Sequence, residues 1–221
     1  MRKKTLIAAA MLATAALTLS ACSSGGDGDD ADKPLADIST SQDDTKAATV
    51  LDQPFTKPDL VLKDTKGEKF DLREETKGKP TLLYFGYTNC PDACPLIMSN
   101  LAIARKSLSK AEQDKLQVIL VTTDPERDTP EHLGKWLKGQ DPSFIGLTGD
   151  FPTIQASARS LGISILEPVK EKDGTVTSTH GKQLFAFSPK TDKGYVFYNA
   201  EEVSDADLSK DLPKLIKGET P

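Results

Sequence analysis

Cysteine and histidine are scarce in this sequence: its 221 residues hold three Cys and two His. Three cysteines are too few for a disulfide-rich scaffold or a zinc-ribbon array, and two histidines leave little room for a histidine-built metal site. An excess of basic residues is also missing. Lys and Arg number 28 against 33 Asp and Glu, a formal charge of −5, which excludes a general basic footprint for nucleic acid. The apolar run Leu6–Leu19 is shorter than the roughly 20 residues a spanning helix needs. No internal repeat is visible. The hydrophobic share of 37% fits one folded domain diluted by a polar segment.

That polar segment has a recognisable start. Arg2, Lys3 and Lys4 precede the apolar run, and Leu19-Ser20-Ala21-Cys22 ends it in small residues, so residues 1–21 read as a secretory signal. A Cys directly after the small residues resembles the lipobox of bacterial lipoproteins and makes Cys22 the expected lipidated first residue of the mature chain. Ordinary secretion with a free Cys22 is the alternative. A lipid on Cys22 would hold the protein on the extracytoplasmic face of the cell membrane. Residues 22–49 then read as an acidic tether, with seven Asp against two Lys among Ser, Gly, Ala and Thr, too polar to offset the cost of ordering. Residues 50–221 contain the Trp, all eight Phe and all four Tyr, enough for one sizeable core.

Within that domain, Leu60-Val61-Leu62 and Phe70-Asp71-Leu72 flank a Lys66-Gly67 turn and predict an N-terminal hairpin. Thr81–Gly86 and Gln117–Thr123 are continuous apolar runs of the kind found in fully buried strands, and Phe144–Leu147 reads as a third. Helices are expected over Pro95–Leu108, from Thr129-Pro130-Glu131 to Leu137, and from Asp150 to about Leu161. After a charged stretch over Glu167–Thr175, Gln183–Phe187 and Tyr195–Tyr198 read as hairpin-linked strands, and Asp205–Ile216 as a closing helix. This order describes an α/β domain: a central mixed sheet flanked by helices, its final strands antiparallel. It is compatible with a thioredoxin-like fold and also with other α/β sandwiches.

Chemistry concentrates in Cys90-Pro91-Asp92-Ala93-Cys94, where the first buried strand passes into a helix. Ligand sites in open α/β sheets favour strand carboxyl ends, and a helix N-terminus stabilises thiolate. A structural disulfide explains the pair poorly, because so short a loop would constrain the unfolded chain by only about 2 kcal/mol. The three-residue spacer differs from the two-residue spacer of thioredoxin-type redox motifs. Two thiolates suit copper but ordinarily need a further ligand. His132, in the first turn of an expected helix, reads as exposed. His180, in the loop entering the Gln183–Phe187 strand, is the stronger candidate. Metal binding and dithiol redox chemistry both remain open on these residues alone. A peroxiredoxin-like peroxidase is disfavoured, since its Thr-x-x-Cys pattern would need Thr where Tyr87 stands.

The run Tyr84-Phe85-Gly86-Tyr87-Thr88-Asn89-Cys90-Pro91-Asp92-Ala93-Cys94-Pro95, together with Asp124-Pro125-Glu126-Arg127-Asp128-Thr129-Pro130 and His180, resembles the Sco/SenC copper-binding proteins over about residues 55–217. Asn89 departs from the His that many members carry before the first Cys, at a position that is not a ligand. The resemblance implies a thioredoxin-like fold with an inserted hairpin near His180. It also implies one copper per monomer, Cu(I) or Cu(II), held by Cys90, Cys94 and His180. It further implies a role in maturing the CuA site of cytochrome c oxidase, so the leading reading is a metallochaperone, a binding module rather than an enzyme. An upstream copper donor and a thiol reductant are expected partners, beside the oxidase subunit that carries the CuA site, and a monomer is the simplest state. The competing role on the same residues is a thiol–disulfide oxidoreductase that keeps the CuA cysteines reduced, with Cys90 attacking and Cys94 resolving. Asp92 reads as a solvated loop acid or a contact for a basic partner, and Asp124 as a turn former or a support for His180. Asp128 and Thr129 read as helix caps, and Met98 as core.

Overall fold

The structure, a computed structural model, describes residues 47–221. The expected signal segment, Cys22 and most of the acidic tether lie outside the described residues. Ten strands and six helices follow in the order β1 (Ala48–Thr56), β2 (Val61–Asp64), β3 (Lys69–Asp71), α1 (Leu72–Glu75), β4 (Thr81–Gly86), α2 (Ala93–Lys106), α3 (Lys110–Gln113), β5 (Gln117–Thr122), α4 (Pro130–Gln140), β6 (Ile145–Thr148), α5 (Phe151–Ser160), β7 (Val169–Lys170), β8 (Val176–Thr177), β9 (Gln183–Phe187), β10 (Lys193–Asn199) and α6 (Asp205–Ile216).

Eight strands form one mixed sheet in the order β1-β10-β9-β4-β5-β6-β2-β3, and β7 and β8 pair separately as a small hairpin. The pairs β4–β5 and β5–β6 are parallel, and β9 runs antiparallel to β4. The continuous apolar runs become the centre of the sheet because both of their faces are covered. Alternation decides which side chain goes where. Leu82, Tyr84, Val118 and Leu120 face a core layer made with Ile97, Met98 and Leu101 of α2, Leu133 and Leu137 of α4, and Leu208 and Leu212 of α6. Leu83, Phe85, Ile119 and Val121 face the opposite layer, made with Leu60, Leu62, Leu72 and Ile154 and Ala158 of α5.

The short helices α1 and α3 are absent from the sequence-based expectation, α4 runs to Gln140 rather than Leu137, and two further elements depart from it. Helix α2 starts at Ala93 rather than Pro95, because the Asp92 carboxylate accepts the Ala93 N–H at 2.6 Å and caps it. Cys94 therefore sits in the first helical turn. Strand β1, which the sequence did not suggest, begins at Ala48, inside the stretch read as tether. It is an edge strand with mixed polarity, and it pairs antiparallel with β10 across a register shift between Val50 and Phe55. Phe55 anchors it edge-on against Phe185, with ring centroids 5.2 Å apart. The expected hairpin at Lys66-Gly67 is present as β2 and β3, with Gly67 at φ 83°, a left-handed conformation that glycine adopts without strain.

Candidate metal centre

The carboxyl end of β4 carries the loop Tyr87–Asp92 and, behind it, the first turn of α2. Gly86 closes β4 because nothing larger fits: a Cβ there would stand 2.8 Å from Cys94 Sγ and 2.7 Å from Tyr84 Cε1. This close approach lets Cys94 lie against the strand, fully buried, while Cys90 keeps 6% exposure beside it. Both thiols are free. The Cys94 N–H donates to Cys90 Sγ at 3.4 Å, so the helix start points a donor at the first sulfur.

The two sulfurs are electrostatically unequal. Hydrogen bonding from the Cys94 thiol is the main influence that lowers the Cys90 pKa to about 5, helped by backbone N–H groups and by His180 and opposed by burial. The Cys94 pKa moves up, because its proton is held on Cys90 and its sulfur is buried. At neutral pH the pair is a Cys90 thiolate solvated by a Cys94 thiol. Thiolate is both the nucleophile and the metal-binding form.

His180 approaches from the other side. The neighbouring Gly181 N–H donates to the Phe85 carbonyl at 2.8 Å, tying this segment directly to β4. The His180 Nδ1 lies 2.9 Å from the Gly181 carbonyl, an acceptor only, so Nδ1 carries the proton there. The neutral ring then has its lone pair on Nε2, the arrangement common in metal-binding histidines. Tyr84 joins the two halves: its hydroxyl lies 3.7 Å from Cys94 Sγ and 3.3 Å from His180 Nδ1. Burial holds the Tyr84 hydroxyl protonated well above its ordinary range. Tyr87 stacks obliquely near His180 at 6.3 Å, its own pKa pushed up to about 12, chiefly by burial.

The structure thus brings Cys94 and His180 to one tyrosine, with Cys90 beside Cys94. Among the described residues, though, no three His, Cys, Asp or Glu side chains are already gathered into a metal cluster. The donor set, two sulfurs and an imidazole nitrogen, suits a soft metal ion.

The remaining candidates are placed as follows. Asp92 is exposed and caps α2, and its Oδ1 lies 4.0 Å from Cys90 Sγ. Asp124 is fully buried and does not touch His180. Its Oδ2 accepts from Arg127 and from Ser178 Oγ at 2.9 Å. His132 is exposed, with Nε2 3.0 Å from Thr88 Oγ1. Met98 is core. Thr129 caps α4, and Asp128 does not: it is fully buried and accepts the Thr88 N–H, the Thr88 hydroxyl and the Thr122 hydroxyl. Tyr84 is a site residue that the sequence pattern alone does not mark. The signal available was a phenol inside a fully buried strand, which has to find a polar partner.

Residues 45–217 match the model of the SCO1/SenC family. A SCO2-like protein of Rickettsia felis is 43% identical over 97 residues, 44% of this chain and 46% of that protein. The solution structure of apo Sco1 from Thermus thermophilus is similar with a TM-score of 0.66 at 30% identity, over 77% of this chain and 97% of that one. Bradyrhizobium japonicum ScoI with copper bound is similar with a TM-score of 0.62 at 29% identity, over 75% and 99%. Matches to three curated relatives span between 45% and 64% of those proteins' own lengths.

Proposed function

The chain belongs to the SCO1/SenC family, and from that premise we propose that it is a copper metallochaperone for cytochrome c oxidase. Copper is its cargo, bound by the Cys90 and Cys94 sulfurs and by His180 Nε2. The copper-bound Bradyrhizobium neighbour supports the choice of metal. The observation that carries the ligand set is the Tyr84 hydroxyl, in reach of both Cys94 Sγ and His180 Nδ1, with Nε2 left as the free ring nitrogen. Cys90 contributes a thiolate that already exists at neutral pH, and Cys94 gives up its proton on binding. Delivery then proceeds by stepwise exchange of these ligands for cysteines of the CuA-bearing oxidase subunit. A lipid on Cys22, followed by a flexible acidic tether, would hold the domain at the extracytoplasmic membrane face, at high effective concentration near its client.

One observation also favours a second use of the same residues. A low-pKa Cys90 beside a protonated Cys94 is the asymmetry an attacking and a resolving thiol require. The reduced pair could therefore reduce a client disulfide to two thiols before metal arrives, itself ending as a Cys90–Cys94 disulfide.

Titration of the reduced protein with Cu(I) against a competing chelator, and with Cu(II) by absorbance, tests the reading. One copper per chain is expected, with a thiolate-to-Cu(II) charge-transfer band that His180→Ala abolishes. Wild-type protein that fails to compete for copper would leave the pair as a redox device.

A further inference from the structure

The segment between β5 and α4 carries two fully buried carboxylates, Asp124 and Asp128, whose partners divide cleanly. Asp128 Oδ2 accepts the Thr88 N–H at 3.0 Å and the Thr122 hydroxyl at 2.6 Å, and its Oδ1 accepts the Thr88 hydroxyl at 2.5 Å. Thr88 stands two residues before Cys90. Asp124 Oδ2 accepts Arg127 Nε at 2.5 Å and the Ser178 hydroxyl at 2.9 Å, while Arg127 Nη2 donates to Ser178 Oγ at 3.3 Å. Ser178 stands two residues before His180. The two carboxylates share one rigid turn, because the Asp128 N–H donates to the Asp124 carbonyl at 2.9 Å and the Asp124 N–H to Thr122 Oγ1 at 3.0 Å.

We propose that this turn is a two-armed brace that sets the separation between the dithiol and the imidazole, with Asp128 positioning Cys90 through Thr88 and Asp124 positioning His180 through Ser178. The inference rests on the copper-binding reading above. A brace is the economical explanation of the chemistry present. Buried charges are costly, and apolar side chains could fill the same space at less cost; what ionic hydrogen bonds add is fixed geometry. Asp124 keeps this arrangement although its Oδ1 is buried with no partner among the described residues. Each arm grips a segment within two residues of one kind of donor atom. The distances 40 and 54 residues along the chain are thereby converted into contacts with one turn.

Ser178→Ala, Asp124→Asn and Asp128→Asn in the full-length protein separate the arms. Two readouts are taken without metal: hydrogen exchange of the Gly181 N–H, and the alkylation rate of Cys90 resolved by peptide mass spectrometry. The third is Cu(I) affinity by chelator competition, with the Cu(II) charge-transfer band beside it. Ser178→Ala and Asp124→Asn are expected to speed Gly181 exchange by about tenfold and to lower copper affinity roughly 10- to 100-fold. They should also shift the charge-transfer band and leave Cys90 alkylation unchanged. Asp128→Asn is expected to do the reverse, speeding Cys90 alkylation while Gly181 exchange holds. Ser178→Ala removes only one hydroxyl, so it keeps the test decisive even where an aspartate variant does not fold. Wild-type exchange and copper affinity in Ser178→Ala would overturn the brace, as would equal loosening of both segments in all three variants. Wild-type protein that binds no copper, with the exchange and alkylation pattern intact, would uphold the brace and remove the metal reading alone.

Discussion

The Tyr84 hydroxyl stands 3.3 Å from His180 Nδ1, although 96 residues separate the two in the chain. The same hydroxyl lies 3.7 Å from Cys94 Sγ, so one phenol touches both halves of the ligand set. Tyr84→Phe removes that link while keeping the ring that fills the core. Copper affinity should fall about tenfold, the usual scale for an outer partner of a metal ligand, and stability should drop by about 1 kcal/mol. Chelator competition and urea unfolding measure the two effects. Unchanged affinity would make the hydroxyl a core-satisfying group only.

Gly86→Ala tests how tightly Cys94 is packed. The added methyl would meet Cys94 Sγ at 2.8 Å and Tyr84 Cε1 at 2.7 Å, on a central strand that cannot move away. A loss of about 1–3 kcal/mol is expected in the reduced protein, read as a lower urea midpoint at constant slope. Wild-type stability would mean that the helix start shifts freely, which the full burial of Cys94 argues against.

What was legible in the sequence follows physical range. Thr81–Gly86 declared itself as a central strand because six buried residues in a row leave no other place for it. The Cys pair and His180 were legible as chemistry because those atoms have few bland uses. Pro95 drew the expected start of α2 two residues late, since a proline in the first turn looks like the first helical residue when the cap is Asp92. Strand β1 was hidden by Asp52, Gln53 and Pro54, tolerated only because an edge strand has one free side. The grips of Asp124 on Ser178 and of Asp128 on Thr88 could not be read locally, because topology alone brings those segments together.

The unequal thiols predict a pH profile. Cys90 should alkylate with a midpoint near pH 5, against about 8.5 for a free thiol, while Cys94 stays unreactive through neutral pH. The linkage has a definite sign. A folded-state pKa below the unfolded one means that the unfolded chain takes up the proton first as pH falls. The stability due to Cys90 is therefore present above its ordinary range and fades as pH falls toward about 5. Cys90→Ser should flatten that slope between pH 9 and 5, measured by urea unfolding under reducing conditions. A Cys90 midpoint near 8.5 would sink the thiolate assignment.

Copper binding should release protons in a number that identifies their source. With its Nδ1 proton facing the Gly181 carbonyl, His180 offers the lone pair of Nε2, so it binds without giving up a proton. Cys90 is already thiolate, its pKa near 5. Cys94 is held protonated by its hydrogen bond to Cys90 and by burial. Binding both sulfurs thus expels about one proton per copper, from Cys94 alone, which calorimetry in buffers of different ionisation enthalpy reads directly. Release of two protons would place Cys90 as a thiol and remove the asymmetry between the sulfurs. Release of none would mean that Cys94 does not bind as thiolate, leaving a site of one sulfur and one nitrogen. Cys94→Ser supplies the control: if Cys94 is the source, its loss abolishes the proton release and weakens binding together.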